Sequence, residues 1–194
     1  MKNVLLFTFL IIIYSLGVTS CGSNATENKQ APTDTIPKQT NTTSTDKKNQ
    51  NIFDDTKALT NALSQNGIGT LKDWSNPMEM GWGSLTDYFQ FGNKKDGVGM
   101  QNNIAYYLEG NEKSAKTLTL NLNINNPADK KNALKFLNEI TIKTFNSLNL
   151  QVPNGLTNSI LAPKSFKADN DNFETSVVLD KSKIETWKVN ITRK

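Results

Sequence analysis

Histidine is absent from this 194-residue chain, and cysteine occurs once, at Cys21. Ser-His-Asp and Cys-His nucleophilic catalysis, histidine-bearing zinc sites and imidazole acid–base work near neutral pH are therefore excluded. Carboxylates are what remains for chemistry. A carboxylate-only hydrolase sets two Asp/Glu side chains about 5–10 Å apart in a cleft, and no pair in the sequence stands out for that task. Asp54-Asp55 reads instead as a helix start, with one carboxylate capping and the other in the first turn, where the helix dipole favours negative charge. Asp169-Asn170-Asp171-Asn172 begins like a calcium loop. An EF-hand would continue with Asp or Asn and then Gly, where this chain has Phe173 and Glu174, so the segment reads as a polar turn. Gly67-Ile68-Gly69, Gly81-Trp82-Gly83 and Gly97-Val98-Gly99 are bare G-x-G triplets without the strand-before, helix-after setting of a phosphate cradle, and read as turns. Neither a cofactor nor a metal is expected, and the chain is not expected to be an enzyme.

The residues that point to binding lie in the irregular stretch 68–83, where Trp74, Met78, Met80 and Trp82 gather around Asn76-Pro77. Tryptophan and methionine bring large, adaptable contact areas and are enriched at binding surfaces. They either cover one end of the core or form a partner-binding loop, and this stretch is the candidate functional surface. Charge gives no competing signal. Residues 51–194 hold 17 basic and 15 acidic side chains, a balance that requires neither nucleic acid nor an anionic surface. Lys94-Lys95 and Lys130-Lys131 read as solvated faces.

The elements that must position this surface follow from periodicity. Asp54 caps a helix running to about Asn66, with Ala58, Leu59, Ala62 and Leu63 on one face and Gly67 as its stop. Three strands come next. Tyr88 to Phe91 is aromatic, Ile104 to Leu108 alternates, and Thr117 to Ile124 sets four aliphatic residues against Thr117, Thr119, Asn121 and Asn123. Such alternation marks an antiparallel sheet with one buried and one wet face. Asn126, Pro127 and Asp129 open the main helix, which runs to about Leu148. Its apolar stripe is Ala133, Leu134, Leu137, Ile140, Thr141, Thr144, Phe145 and Leu148. Pro153 to Leu161 reads as a short helix with Leu156, Ile160 and Leu161 inward. Two strands, Phe173 to Leu179 and Trp187 to Ile191, finish the chain. The expected order is α-β-β-β-α-α-β-β, an α+β two-layer sandwich with about five antiparallel strands and helices on one face.

Lys2, the apolar run Val4 to Ile13, and the small and polar residues before Cys21 have the three-part layout of a secretory signal. The run is too short for a stable span, which needs roughly 20 apolar residues. Val18-Thr19-Ser20-Cys21 resembles the lipobox of bacterial lipoprotein precursors. The resemblance covers residues 1–21 and implies diacylglyceryl attachment at the Cys21 sulfur, cleavage after Ser20 and acylation of the new amino terminus. Two or more acyl chains anchor firmly where one does not. Gly22 after the cysteine resembles outer-membrane sorting in Gram-negative lipoproteins; a Gram-positive origin would place the anchor on the plasma membrane.

Residues 21–50, rich in Thr, Asn, Lys, Gln and Pro, cannot bury enough surface to fold and read as a tether reaching roughly 30 Å. Within it Asp34-Thr35-Ile36 resembles a short bacterial O-glycosylation acceptor, which leaves Thr35 either unmodified or glycosylated. The formal S-x-x-K at Ser44-Thr45-Asp46-Lys47 has no oxyanion pocket in such a segment. The expected organisation is thus signal peptide 1–20, lipidated cysteine and tether 21–50, and one domain 51–194. The function that fits is a membrane-anchored envelope lipoprotein whose domain binds another protein. The alternative is an immunity or inhibitor lipoprotein that neutralises a periplasmic toxin or hydrolase.

Overall fold

The computed structural model describes residues 51–94, 99–181 and 183–194. Cys21, Thr35 and Ser44 to Lys47 lie outside the described residues. The chain folds as α+β, with a seven-stranded antiparallel sheet and three α-helices. Helix α1 (Thr56–Ser64) is followed by strands β1 (Trp82–Leu85), β2 (Phe89–Phe91), β3 (Asn102–Gly110) and β4 (Ala115–Ile124). Helices α2 (Lys130–Ser147) and α3 (Leu156–Leu161) then lead to β5 (Phe166–Asp169), β6 (Phe173–Asp180) and β7 (Glu185–Arg193). Spatially the strands run β1-β3-β4-β7-β6-β5, and β2 pairs with the first turn of β3 on the same side as β1.

Seven strands rather than five correct the count read from the sequence. The two extra strands, β1 and β5, are four residues each. β1 contains Gly83, and it exists because that glycine has no side chain. A Cβ there would stand 2.5 Å from the Leu108 carbonyl oxygen, the close backbone approach that glycine inside a strand permits. Two residues of the Gly81-Trp82-Gly83 triplet, Trp82 and Gly83, therefore lie in a strand rather than in a turn.

The sheet face that shares the core with the helices carries Ile104, Tyr106, Leu108, Leu118, Leu120, Leu122, Trp187, Val189 and Ile191. Seven of the eight expected stripe residues, Ala133 to Phe145, lie buried in α2, and the eighth, Leu148, is buried just past its end. Each large apolar side chain so placed contributes about 1.5–3 kcal/mol. A buried polar network ties α2 and the turn after α1 to β3. Asn66 Nδ2 donates to the Tyr106 hydroxyl (3.0 Å), that hydroxyl bonds Thr144 Oγ1, and Ser147 Oγ donates to Asn66 Oδ1 (2.7 Å). Burial pushes the Tyr106 phenol up, with the bonds to Thr144 and Asn66 opposing.

The opposite sheet face is polar but braced, with Asn103 and Thr186 themselves buried. Asn123 donates to Asn103 (2.9 Å), Thr186 to Asn123 (2.8 Å), Thr119 to Asn190 (2.9 Å) and Asn190 to Ser176 (3.2 Å). These bonds run from strand to strand, stitching β3, β4, β7 and β6 together.

Local details depart from expectation for identifiable reasons. Asp55, not Asp54, caps α1, its Oδ1 accepting from Ala58 N at 2.9 Å. Asp54 sits in the preceding 3-10 turn, paired with Arg193. The helix ends at Ser64, with Leu59 and Leu63 buried, Ala62 half-buried and Ala58 exposed. Asn126 precedes the 3-10 turn Pro127–Asp129 but makes no side-chain cap; its amide donates to the Asn93 carbonyl instead. α3 begins at Leu156, and Leu161 faces outward. Asn170 closes the β5–β6 turn by accepting from Asn172 N and Phe173 N.

Lys130 is no solvated lysine. Its Nζ lies 2.6 Å from Glu185 Oε1 and 6.0 Å from the Trp187 ring centre, and Trp187 Nε1 donates to the same carboxylate at 2.7 Å. Partial burial would raise the Glu185 carboxyl, but the bonds from Lys130 and Trp187 outweigh it and hold the group below its ordinary value. Lys131 and Lys94 are exposed, and Lys95 lies outside the described residues.

Candidate partner-binding cleft at the β1 edge

The stretch singled out in the sequence wraps the outer edge of β1. Lys72 N donates to the Leu85 carbonyl (3.1 Å), while Ser75 and Gly83 exchange backbone bonds of 3.1 and 2.9 Å. Ser84 Oγ donates to the Lys72 carbonyl. These bonds cap most of an edge that would otherwise present unpaired backbone groups.

Between this segment and β1, residues 76–81 form a closed loop. Asn76 Oδ1 accepts from Gly81 N at 2.8 Å, and Met80 N donates to the Pro77 carbonyl at 3.3 Å. Met78 and Glu79 are held at φ of 53° and 58°, left-handed backbone that non-glycine residues seldom adopt. The fold thus holds two large apolar side chains out into solvent, Met78 at 84% and Met80 at 74% exposure. Backbone strain of this kind persists only where the surroundings enforce it.

The two tryptophans have separate roles. Trp74 is half-buried, packs against the core and donates from Nε1 to the Asn111 carbonyl at 3.1 Å. Trp82, in β1, is half-buried and lines a cleft of about 550 Å³ together with Pro77, Met80, Leu85, Tyr107 and Glu109. Sequence reasoning found the loop and missed the cleft wall from β3, Tyr107 and Glu109. Register supplies it: Leu85 pairs with Tyr107 and Gly83 with Glu109.

Few of the cleft's groups are suited to bond-breaking chemistry. Tyr107 donates to the Tyr88 hydroxyl at 2.7 Å, and its phenol is pushed far up by burial and then by that neighbour. A phenol in that state donates a hydrogen bond and is not a base near neutral pH. Asp73 and Glu109 line the cleft and are exposed. Among the described residues, no group of three or more Asp, Glu, Cys or His is placed to hold a metal ion. What the arrangement can do is bury apolar surface beside a carboxylate-bearing rim.

No protein-family model, curated protein or solved structure matches this chain. The cleft must therefore be read from its own geometry. Of the four side chains expected to bind, Met80 and Trp82 meet in the cleft, Met78 stands on the loop beside it, and Trp74 turns inward to brace the segment from behind.

Proposed function

We propose that this chain is a lipid-anchored cell-envelope lipoprotein whose domain is a non-catalytic binding module for another protein. In this reading Cys21 carries the lipid, residues 22–50 are the tether, and residues 51–194 form a two-layer α+β sandwich with its helices on one sheet face. Gly22 points the anchor toward the outer membrane. The lipobox Val18-Thr19-Ser20-Cys21 supports the anchoring. The binding role rests on one observation: an internally hydrogen-bonded loop with left-handed backbone keeps Met78 and Met80 exposed at the mouth of a mostly apolar cleft. Because the backbone of this loop is already fixed, docking has to order only its side chains, which lowers the cost of binding.

The test places a photo-crosslinking amino acid at position 78 or 80 of the anchored protein in its own cells. A discrete crosslinked protein at these positions, absent when the same group replaces Lys143 on the exposed side of α2, is the expected result. Equal and diffuse labelling from both places would overturn the assignment. Mass spectrometry of the mature amino terminus checks the anchor: an unmodified Cys21 would refute it.

A further inference from the structure

The cleft's charge says what kind of partner segment it takes, an inference that rests on the binding role proposed above. The chain carries a formal charge of +4, yet the unpaired charges at this site are negative. Asp73 and Glu109 line the cleft, and Glu79 sits in the loop between the two exposed methionines. All three are exposed, and among the described residues none has a hydrogen bond or ion pair from another side chain. The lysine at the cleft, Lys72, is already paired with Asp87 at 2.9 Å. Two uncompensated carboxylates thus line the cleft beside Met80, Trp82, Leu85 and Tyr107, and a third, Glu79, stands on the adjoining loop.

We infer that the site takes a basic segment of a partner protein, an apolar side chain seated on the floor and an adjacent Lys or Arg facing the rim. The charges are complementary, which sets specificity and speeds encounter more than it deepens affinity. The aromatic walls of Trp82 and Tyr107 offer a further face to a cation. A volume of about 550 Å³ holds a few side chains rather than a folded element. The competing occupant of an exposed methionine loop is the lipid surface itself. Glu79, Asp73 and Glu109 oppose that, because anionic headgroups attract Lys and Arg and repel carboxylates.

Methionine methyl groups supply the assay. The full chain, solubilised in neutral detergent and labelled at the methionine methyls, reports from Met78 and Met80 at the site. Met100 reports from beyond the other end of β3, roughly 25 Å away along the strand. Titration with the blocked tripeptide leucyl-lysyl-leucine shifts the Met78 and Met80 signals and leaves Met100 in place, whereas leucyl-glutaminyl-leucine binds up to about fivefold more weakly. Asp73→Asn, Glu79→Gln and Glu109→Gln together, all at exposed sites, remove the difference between the two peptides without changing the melting temperature. Equal binding of the two peptides, or no binding of either, overturns the inference. So does broadening of the Met78 and Met80 signals beyond that of Met100 on vesicles containing phosphatidylglycerol, which would assign the loop to lipid. If position 78 still crosslinks a protein while the peptides bind equally, the binding role stands and the charge argument alone falls.

Discussion

Replacing Gly83 with alanine tests whether β1 and its cleft depend on one missing side chain. An ideal Cβ at this position would lie 2.5 Å from the Leu108 carbonyl oxygen, 3.6 Å from the carbonyl carbon and 3.9 Å from Glu109 Cα. Ordinary carbon–oxygen contacts between neighbouring strands are about 3.3–3.6 Å, so the added methyl intrudes by roughly 0.8–1.1 Å. The obstructing atoms are backbone in a strand paired on both sides, and no rotamer change relieves the overlap. The strand that yields is β1, which is held by only four register pairs to β3 and by the Lys72–Ser75 segment. Overpacking of this kind costs about 1–3 kcal/mol, which for a domain of this size lowers the melting temperature by about 3–10 °C. Urea denaturation followed by tryptophan fluorescence gives the stability, and the Met78 and Met80 methyl shifts report the cleft. The expected result is a lower midpoint, with both methyl signals moved and Met100 unmoved. A variant with the wild-type midpoint and wild-type methyl spectrum would mean that β1 does not approach β3 as closely as described. The cleft geometry argued from that approach would then be wrong.

The remaining predictions concern the scaffold. Tyr106→Phe keeps the ring but leaves the buried Asn66 amide without its acceptor, and is expected to cost about 1–3 kcal/mol in urea denaturation; a cost near zero would remove the network as a stabilising element. Leu137→Ala, at a fully buried position of α2, is expected to cost about 2–5 kcal/mol, and an unchanged denaturation midpoint would contradict the packing of that helix. Glu185→Gln tests the Lys130–Glu185–Trp187 cluster by its pH dependence. The folded Glu185 carboxyl lies below its ordinary value of 4.5, so its contribution is present above that pH and fades as pH falls through the lowered folded value. The stability gap between wild type and variant, below about 1 kcal/mol at neutral pH, should therefore close under acid. A gap that stays constant from pH 7 down to about pH 2 would show that charge is not its origin.

How much of this was legible in the chain depended on length and periodicity. β4 and α2 read plainly because ten and eighteen residues keep one period throughout, long enough for the pattern to outweigh any single residue. β5 did not, since Phe166-Lys167-Ala168-Asp169 is four residues with two charges. β1 was hidden by the glycines that make it possible: Gly83 looks like turn chemistry until its neighbour across the sheet is known. The same limit applies to the site. The Trp/Met stretch stands out by composition, but Tyr107 and Glu109 belong to it only through strand register, some thirty residues further along. The sequence points to Asp54 as the cap of α1, and the structure uses Asp55. Arg193, far off in sequence, engages one of them and leaves the other for the helix.

The stitching on the polar sheet face is made of amides and hydroxyls alone: Asn103, Asn123, Thr186, Thr119, Asn190 and Ser176. None of these groups ionises in water, and dissolved ions do little to weaken bonds between neutral partners. Acidification or a rise in salinity therefore leaves that cross-bracing intact while it erodes the exposed ion pairs elsewhere. A domain built this way keeps its shape when the medium around it changes, and its carboxylate-rimmed cleft can respond to those changes while the platform beneath it does not.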